Sequence, residues 1–526
     1  MRSQFWTYSL LTFFLIGIIS WFWPSFLWTL VVILPLFILG VHDTIQRSHT
    51  IRRNFPLFGR GRYILEDMGP KIYQYFVESD TDGRPINRNM RSMVYRRAKS
   101  VNDTHPFGTQ RDLYRDGYEW INHSIYPYDV SELDHNPRVR IGGKECKQPY
   151  EASILNISAM SYGSLSYRAI EALNKGARMG GFYHNTGEGG LSPYHLENGG
   201  DIVWQIGTGY FSCRTKDGNF DREKFKENAA HPSVKMIEIK LSQGAKPGHG
   251  GILPASKNSE EIAKIRGVEP HTAVISPSYH KAFSGPKEMM HFIRDIRELC
   301  EGKPVGFKLC VGREEEFIDI CRAMMDTGIL PDFITVDGGE GGTGAAPLEY
   351  SNSVGSPLRD GLAFVHDMLV GFGLRDEIKV IASGKILSGF HIVRALALGA
   401  DLCNSARGMM LSLGCIQALE CNQNTCPTGV ATQDPKLVKG LVVEDKSPRV
   451  HNFHKNTIHA MLDLLSSVGI KRTDDLKRKH IHRRVDMTTI LRYDEIYPDL
   501  EPRCLLSGSG IPDRYKVYFR ESDIPI

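Results

Sequence analysis

The sequence has almost no imbalance of charge: 526 residues carry 64 Lys and Arg against 60 Asp and Glu, a net charge of +4. That lack argues against a nucleic-acid partner and against a charged, disordered tail. Cysteine is also sparse, with ten in the chain, and most stand inside apolar periodic segments as buried free thiols do. This usage suits a reducing compartment. The sharpest absence is local, because residues 3–41 contain no Asp, Glu, Lys or Arg.

Pro24 in SWFWPSF divides that stretch into Phe5 to Trp23 and Ser25 to Val41, which as helices reach roughly 28 and 26 Å against a hydrocarbon core of about 30 Å. A tight transmembrane hairpin is expected over residues 1–43. A signal peptide is the alternative, but its apolar region would be shorter and would end in small residues, not in IISWFWPSFLW. Trp21, Trp23 and Trp28 suit an interfacial belt, and Arg47, Arg52, Arg53, Arg60 and Arg62 follow the second span. With no positive charge between the spans, both ends should face the cytoplasm, leaving a membrane-anchored protein whose main body is cytoplasmic.

Residues 44–150 read as a connecting region. Its basic stretch RPINRNMRSMVYRRAK is expected to be a solvated helix face, with contact to anionic headgroups as the sharper alternative. From Ile154 onward short apolar runs alternate with amphipathic segments. The runs are ILNISAM, FYHNT, IVWQI, MIEIKL, VGFKLCV, FITVD, KVIAS and DLCNS, and helical patterns such as RAIEALNKGARM, EMMHFIRDIRELC and FHIVRALAL lie between them. Eight alternations predict a (β/α)8 TIM barrel over 151–435, followed by a C-terminal helical extension over 436–526.

Gly339, Gly341 and Gly344 show G-x-G-x-x-G spacing after FITVD. A dinucleotide site also needs a helix opening at the last glycine, whereas here Pro347 and turn-prone residues follow. Glycine-rich turns recur after the other runs as well: SYGSLS, TGEGGLSP, QGAKPGHGG, GGEGGTGAAP, SGKILSG and ARGMM. In a barrel they share the C-terminal rim, where a side-chain-free backbone lets a ligand approach closely. Gly338 and Gly339 then belong to one wall of a single site, and the late turns stand where barrels bind phosphate. A phosphorylated cofactor such as FMN would fit.

After the eighth run, SLGCIQALECNQNTCPTGVATQDP packs Cys415, Cys421 and Cys426 into twelve residues. Buried structural thiols, an incomplete zinc site and iron–sulfur ligation all remain open on spacing alone.

The string GCIQALECNQNTCPTGVATQDP resembles the cluster-binding segment of glutamate synthases. HNTGEGG, KLSQGAKPGHGG, ISPSYH and GGEGGTGAAP resemble that family's other motifs in the same order, over about residues 100 to 480. The resemblance implies the family's FMN-binding synthase domain, a (β/α)8 barrel carrying FMN and a [3Fe-4S] cluster, with Cys415, Cys421 and Cys426 as cluster ligands. Two departures stand out. The glutaminase domain and the β-helix of that family are not seen in this chain, so glutamine hydrolysis of its own is not expected. The glutamate of the family's K-P-G-E-G-G turn is His249 here.

Residue by residue, the resemblance implies Lys240 as the lysine beside the flavin N1 and C2 carbonyl. Met160, Ser161 and Gln205 would meet the ring, though ordinary core and turn roles compete, and Gly384 with Ala406, Arg407 and Gly408 would hold the phosphate. Lys246 and Arg266 become candidate cations for a dicarboxylic keto acid. A surface role is the alternative for Arg266. Gln243 would add a hydrogen bond, and Glu188 would orient an imine or handle its proton. The expected activity is reductive amination of 2-oxoglutarate to L-glutamate with ammonia. Electrons would come from an external donor: a ferredoxin-like protein, an NAD(P)H-oxidising subunit or a membrane carrier. An amidotransferase subunit is left open as the ammonia source. Alternatives are an oxidoreductase acting on another amino or keto acid, or an electron-relay subunit of a membrane complex.

Overall fold

A computed structural model describes residues 1–102 and 104–519. The chain forms two compact units, Met1–Arg88 and Asn89 onward. The connecting region expected over 44–150 is therefore divided, and its basic stretch contributes the helix Arg88–Lys99. Asn452 and Asn456 of a later helix donate to the Ala98 and Arg97 carbonyls at 3.2 and 2.8 Å, which ties this helix into the second unit.

In the first unit the helices Arg2–Phe22 and Leu30–Ile45 are joined by the 3-10 turn Pro24–Thr29. Pro24 opens that turn because its fixed φ suits a first helical position. The Phe37 ring packs between Phe5 and Phe13, with centroids at 6.1 and 5.0 Å, and Gly40 leaves room for the Phe5 ring. Most other side chains of both helices are exposed and apolar.

The second unit is built on a closed barrel of eight parallel strands. They are β1 (Leu155–Ile157), β2 (His184–Asn185), β3 (Ile202–Ile206), β4 (Val234–Lys240), β5 (Val305–Leu309), β6 (Phe333–Asp337), β7 (Lys379–Ser383) and β8 (Leu402–Ser405). Each lies within or overlaps one of the apolar runs read from the sequence. They are almost wholly buried because helices cover the outside and side chains fill the inside. The antiparallel hairpin Arg138–Ile141 and Tyr150–Ser153 adds Ile141 and Ala152 to a core with Val203, Met236, Phe333, Ile381 and Leu402. Those residues stand at or near the strand starts, so the hairpin closes the N-terminal mouth.

Residues beyond 435 differ from the helical extension expected. The helix Val443–Val468 packs against both Tyr167–Gly180 and Gly389–Ala397, the helices after β1 and β7, and so takes the place of the eighth barrel helix. Glycines permit the approach: a Cβ at Gly176 would lie 2.7 Å from Val450 Cβ. Further on, Ile481–Arg484 and Ile490–Arg492 form an antiparallel sheet with Glu119–Ile121. The buried Glu119 carboxylate holds this sheet to the barrel helices through Arg359 and through Arg394 at 2.7 Å, and it also meets Arg483 of its own sheet at 3.4 Å and Tyr493 just beyond that sheet at 2.7 Å. Alternation over strands this short and charged carries little apolar signal.

Candidate active site

Inward-facing positions recur every second residue along a strand, and in this barrel the upper ones are polar. Glu238 accepts from Asn185 of β2 at 2.8 Å, from Gln205 of β3 at 2.5 Å and from Thr335 of β6 at 2.7 Å. This buried carboxylate is fully engaged across the lumen. Gln205 therefore directs its amide to Glu238 and is itself buried.

Two residues further along β4 stands Lys240, in parallel register with Lys308 of β5. Both ammonium groups are buried and each meets a carboxylate: Lys240 the Glu188 group at 2.7 Å, Lys308 the Asp337 group at 3.2 Å. Burial pulls Lys240 down, and Glu188 only partly offsets it. Burial also acts to lower Lys308, but Asp337 and then Glu238 outweigh it and hold that lysine above its usual value. Asp337 also accepts the Gly244 N–H at 2.9 Å. The charged pairs thereby fix the turn after β4.

Around Glu188 the sequence-predicted residues come together. Lys240 donates to Gln243 Oε1 at 2.7 Å as well as to Glu188. Burial acts to raise the Glu188 carboxyl, but Lys240 first, then Lys246 and Arg266, hold it below the usual carboxylate range. Lys246 is buried, donates to the Ala345 carbonyl at 2.9 Å and is pulled by burial down to about 8. Arg266 is not on the surface. It donates to the Tyr162 carbonyl at 3.1 Å, its Cζ stands 5.0 Å from the Phe211 ring centre, and burial lowers it to about 10. Gly163 and Gly189 make room for it, since a Cβ at either would fall 3.0 or 2.9 Å from its guanidinium.

A second group of predicted residues lines one cavity. Gly384, Ala406, Arg407 and Gly408 share it with Lys308, Asp337 and Gln243. Gly384 has φ +149 and Arg407 donates to the Glu340 carbonyl at 2.5 Å. Gly338 and Gly339 donate to the Ser383 and Ser356 carbonyls at 2.9 and 2.8 Å, and the Gly338 carbonyl lies where a side chain at Gly244 would be. Met160 and Ser161 stand on the β1 turn; Met160 N–H donates to the Asn185 carbonyl at 3.1 Å, and Ser161 Oγ to Ser164 Oγ at 3.1 Å. The loop after β6 continues through Gly344 to Pro347, and only then does the short helix Leu348–Ser353 begin.

Lys308, Asp337 and Glu238 were not among the predicted site residues. Their signal was a charge inside an otherwise apolar strand run, two residues from another inward position.

Cys415, Cys421 and Cys426 lie on one loop, the first two part-buried and the third buried. The loop is shaped by left-handed backbone at Gln417, Leu419 and Asn424, and Tyr95 donates to the Cys415 carbonyl at 2.6 Å. Each thiol is within electrostatic reach of another. The buried Lys257 ammonium, near Cys421 and Cys426, donates to the Ser164 and Ala431 carbonyls at 3.0 and 2.7 Å. Among the described residues no three Cys, His, Asp or Glu groups are drawn together as closely as a bound metal ion would hold them. As donors, three neighbouring thiols suit a soft metal or an iron–sulfur cluster.

Fold and site thus define a (β/α)8 barrel whose rim carries a buried charged layer beside a glycine-walled cavity. The conserved region in glutamate synthase matches residues 109–471, and the chain belongs to the glutamate synthase family. It is 39% identical to the glutamate synthase large subunit-like protein YerD of Bacillus subtilis, over 89% of this chain and 98% of that one. It is 34% identical to an archaeal glutamate synthase [NADPH] of Methanocaldococcus jannaschii and 33% to an archaeal-type one of Thermotoga neapolitana, in each case over 61% of this chain and 60% of the relative. The chain thus spans about three fifths of the length of those two relatives. A flavocytochrome b2 structure with pyruvate bound matches at 12% identity over 80% of this chain and 84% of that one, with a TM-score of 0.41.

Proposed function

We propose that this protein is an oxidoreductase that reductively aminates 2-oxoglutarate to L-glutamate with ammonia, using FMN, a [3Fe-4S] cluster and an external electron donor. The observation that carries the reading is the group around Glu188: Lys240, Lys246 and Arg266 act on that one carboxylate. Buried cations in excess of their anions call for a negatively charged ligand. The excess is two, which a dicarboxylate matches. Lys246 and Arg266 meanwhile donate to the neutral Ala345 and Tyr162 carbonyls, acceptors that a carboxylate displaces because charge-assisted bonds are roughly twice as strong.

FMN would be held by Gly384, Ala406, Arg407 and Gly408 at its phosphate, with Lys308 in the same cavity and Lys240 towards the flavin's N1 side; Met160 and Ser161 would border its ring. When bound, it supplies the hydride for an imine carbon. Lys246 and Arg266 hold the two carboxylates and so fix which face of the substrate is presented. Gln243, already bonded to Lys240, aligns the keto end. Glu188, kept ionised by its three cations, accepts a hydrogen bond from the substrate nitrogen and holds a proton there as the ammonia is incorporated.

Cys415, Cys421 and Cys426 would bind the cluster, which would supply one-electron transfer at that loop. The helices Arg2–Phe22 and Leu30–Ile45 would anchor the chain in a membrane with the barrel in the cytoplasm; their length, hydropathy and exposed apolar side chains suit membrane insertion, and the bulky IISWFWPSFLW end of the first apolar run favours an anchor over a signal sequence. The donor could be a ferredoxin-like protein, an NAD(P)H-oxidising subunit or a membrane carrier, and a separate amidotransferase could deliver ammonia.

The test is to reduce anaerobically purified protein, mix it with 2-oxoglutarate and ammonium, and assay glutamate. Product that requires both compounds supports the reading. Oxidation indifferent to both overturns it. A second reading, turnover of another amino or keto acid, is favoured by His249, which replaces the family's glutamate and packs on Tyr350 with ring centroids 5.2 Å apart.

A further inference from the structure

Beyond the second apolar helix, the chain carries an amphipathic helix whose apolar face is turned to solvent. Residues Phe58–Ile72 are α-helical and the π turn Tyr73–Val77 continues them. The packed side of this helix is set by two residues. A Cβ at Gly59 would lie 2.8 Å from the Ile51 carbonyl oxygen. Tyr63 meets the His49 ring at 4.9 Å and the Arg52 guanidinium at 4.4 Å.

At about 100° per residue, Phe58, Ile64, Leu65, Met68 and Ile72 fall within an arc about 120° wide on the side away from Gly59 and Tyr63. These side chains are exposed, Phe58 by 76% and Leu65 by 64%, and Phe76 at the end of the segment by 85%. A contiguous apolar face of this kind marks an interaction surface. Arg62 and Lys71 flank the arc, and residues 46–77 hold six basic residues against two acidic.

The helix is also pinned to the end of the preceding apolar helix. Asp43, buried in the last turn of Leu30–Ile45, pairs with Arg60 at 2.7 Å and accepts the Leu57 N–H at 3.1 Å. Whatever covers the apolar surface of the hairpin is therefore continuous with what meets the start of this helix.

We infer that Phe58–Val77 lies along the surface of a lipid bilayer. Its apolar arc enters the acyl boundary and Arg62 and Lys71 reach anionic headgroups, as basic interfacial helices do. The inference rests on the hairpin being a membrane anchor.

The experiment uses the full chain in vesicles of mixed phosphatidylcholine and phosphatidylglycerol, with the photoreactive residue p-benzoylphenylalanine in place of Leu65, Tyr63 or Phe14. Lipid adducts are expected at Leu65 and at Phe14, an exposed residue of the first apolar helix, and not at Tyr63. If Phe14 labels lipid while Leu65 labels only protein, from this chain or a second copy, or nothing, the interfacial helix is overturned and the anchor stands. If neither labels lipid, both readings fail. Lipid adducts at Leu65 alone remove the spans, and with them the anchored arrangement on which the inference rests. Equal labelling at Tyr63 and Leu65 overturns the assigned face, and a Leu65 yield unchanged in phosphatidylcholine alone overturns the headgroup contact.

Discussion

Lys240 and Lys308 occupy paired positions on adjacent strands, and each ammonium is met by a carboxylate from elsewhere in the barrel, Glu188 and Asp337. Two buried lysines side by side repel, and the two facing carboxylates offset that repulsion. The two pairs then serve different ends. Asp337 lies on β6 and also takes the Gly244 N–H, a structural task, whereas Glu188 answers to Lys246 and Arg266 as well, the two cations that the proposed function assigns to a dicarboxylate.

Removal of Asp337 should accordingly cost stability. Asp337→Ala leaves Lys308 charged and unpaired in a buried setting and frees the Gly244 N–H, a loss of about 3 to 5 kcal/mol. Urea unfolding of the full chain, followed by circular dichroism in detergent, measures it. A midpoint equal to the parent's would show that Lys308 finds another partner.

The packing of Val443–Val468 in the eighth helix position predicts that the barrel depends on it. Gly176→Ala places a methyl 2.7 Å from Val450 Cβ and 2.8 Å from the Ser447 carbonyl, and overpacking of this kind costs about 1 to 3 kcal/mol. Gly312→Ala, whose methyl would have nothing within 4 Å, should be tolerated. Equal unfolding midpoints for the two variants would mean that the long helix is only loosely docked.

The barrel was legible because each of its eight strands is buried on both faces and so reads as an apolar run such as IVWQI or FITVD. Glycine-rich turns after those runs located the rim, and resemblance supplied individual roles there. What stayed hidden has physical reasons. Lys308 and Asp337 are single charges in apolar runs, and their pairing depends on barrel closure, which local pattern does not encode. Glu119 lies 240 residues from Arg359 and 364 from Arg483, so its sheet is held by contacts invisible to any window of sequence. Pattern favoured helices beyond residue 435 because Val443–Val468 dominates that region.

The three thiols of the 415–426 loop give a prediction that needs no turnover. Anaerobically purified protein should show the electron paramagnetic resonance of an oxidised three-iron cluster. Cys421→Ser should abolish or shift that signal, whereas Cys321→Ser, at a buried thiol within the helix Glu314–Thr327, should leave it intact. Absence of iron from the parent protein would remove the cluster from the proposed function without touching the dicarboxylate site.

Lys246 offers the most direct test of that site, because its charge is within reach of ordinary buffers. Burial brings its pKa down to about 8, so the ammonium is present below that pH and is lost above it. A dicarboxylate stays fully ionised through the same range. Binding of 2-oxoglutarate to the oxidised protein should therefore be constant at lower pH and weaken about tenfold per pH unit above about 8, with proton uptake on binding in that upper range. Lys246→Arg should keep binding at higher pH, since a guanidinium does not titrate there. Lys246→Met should bind roughly thirty- to several-thousandfold more weakly, the cost of about 2 to 5 kcal/mol for a lost charged partner, and should lose the pH dependence. Calorimetric titrations in buffers of different ionisation enthalpy give both affinity and proton uptake. A flat profile in the parent, or a Lys246→Met variant that binds like it, would place the substrate carboxylates elsewhere on the rim.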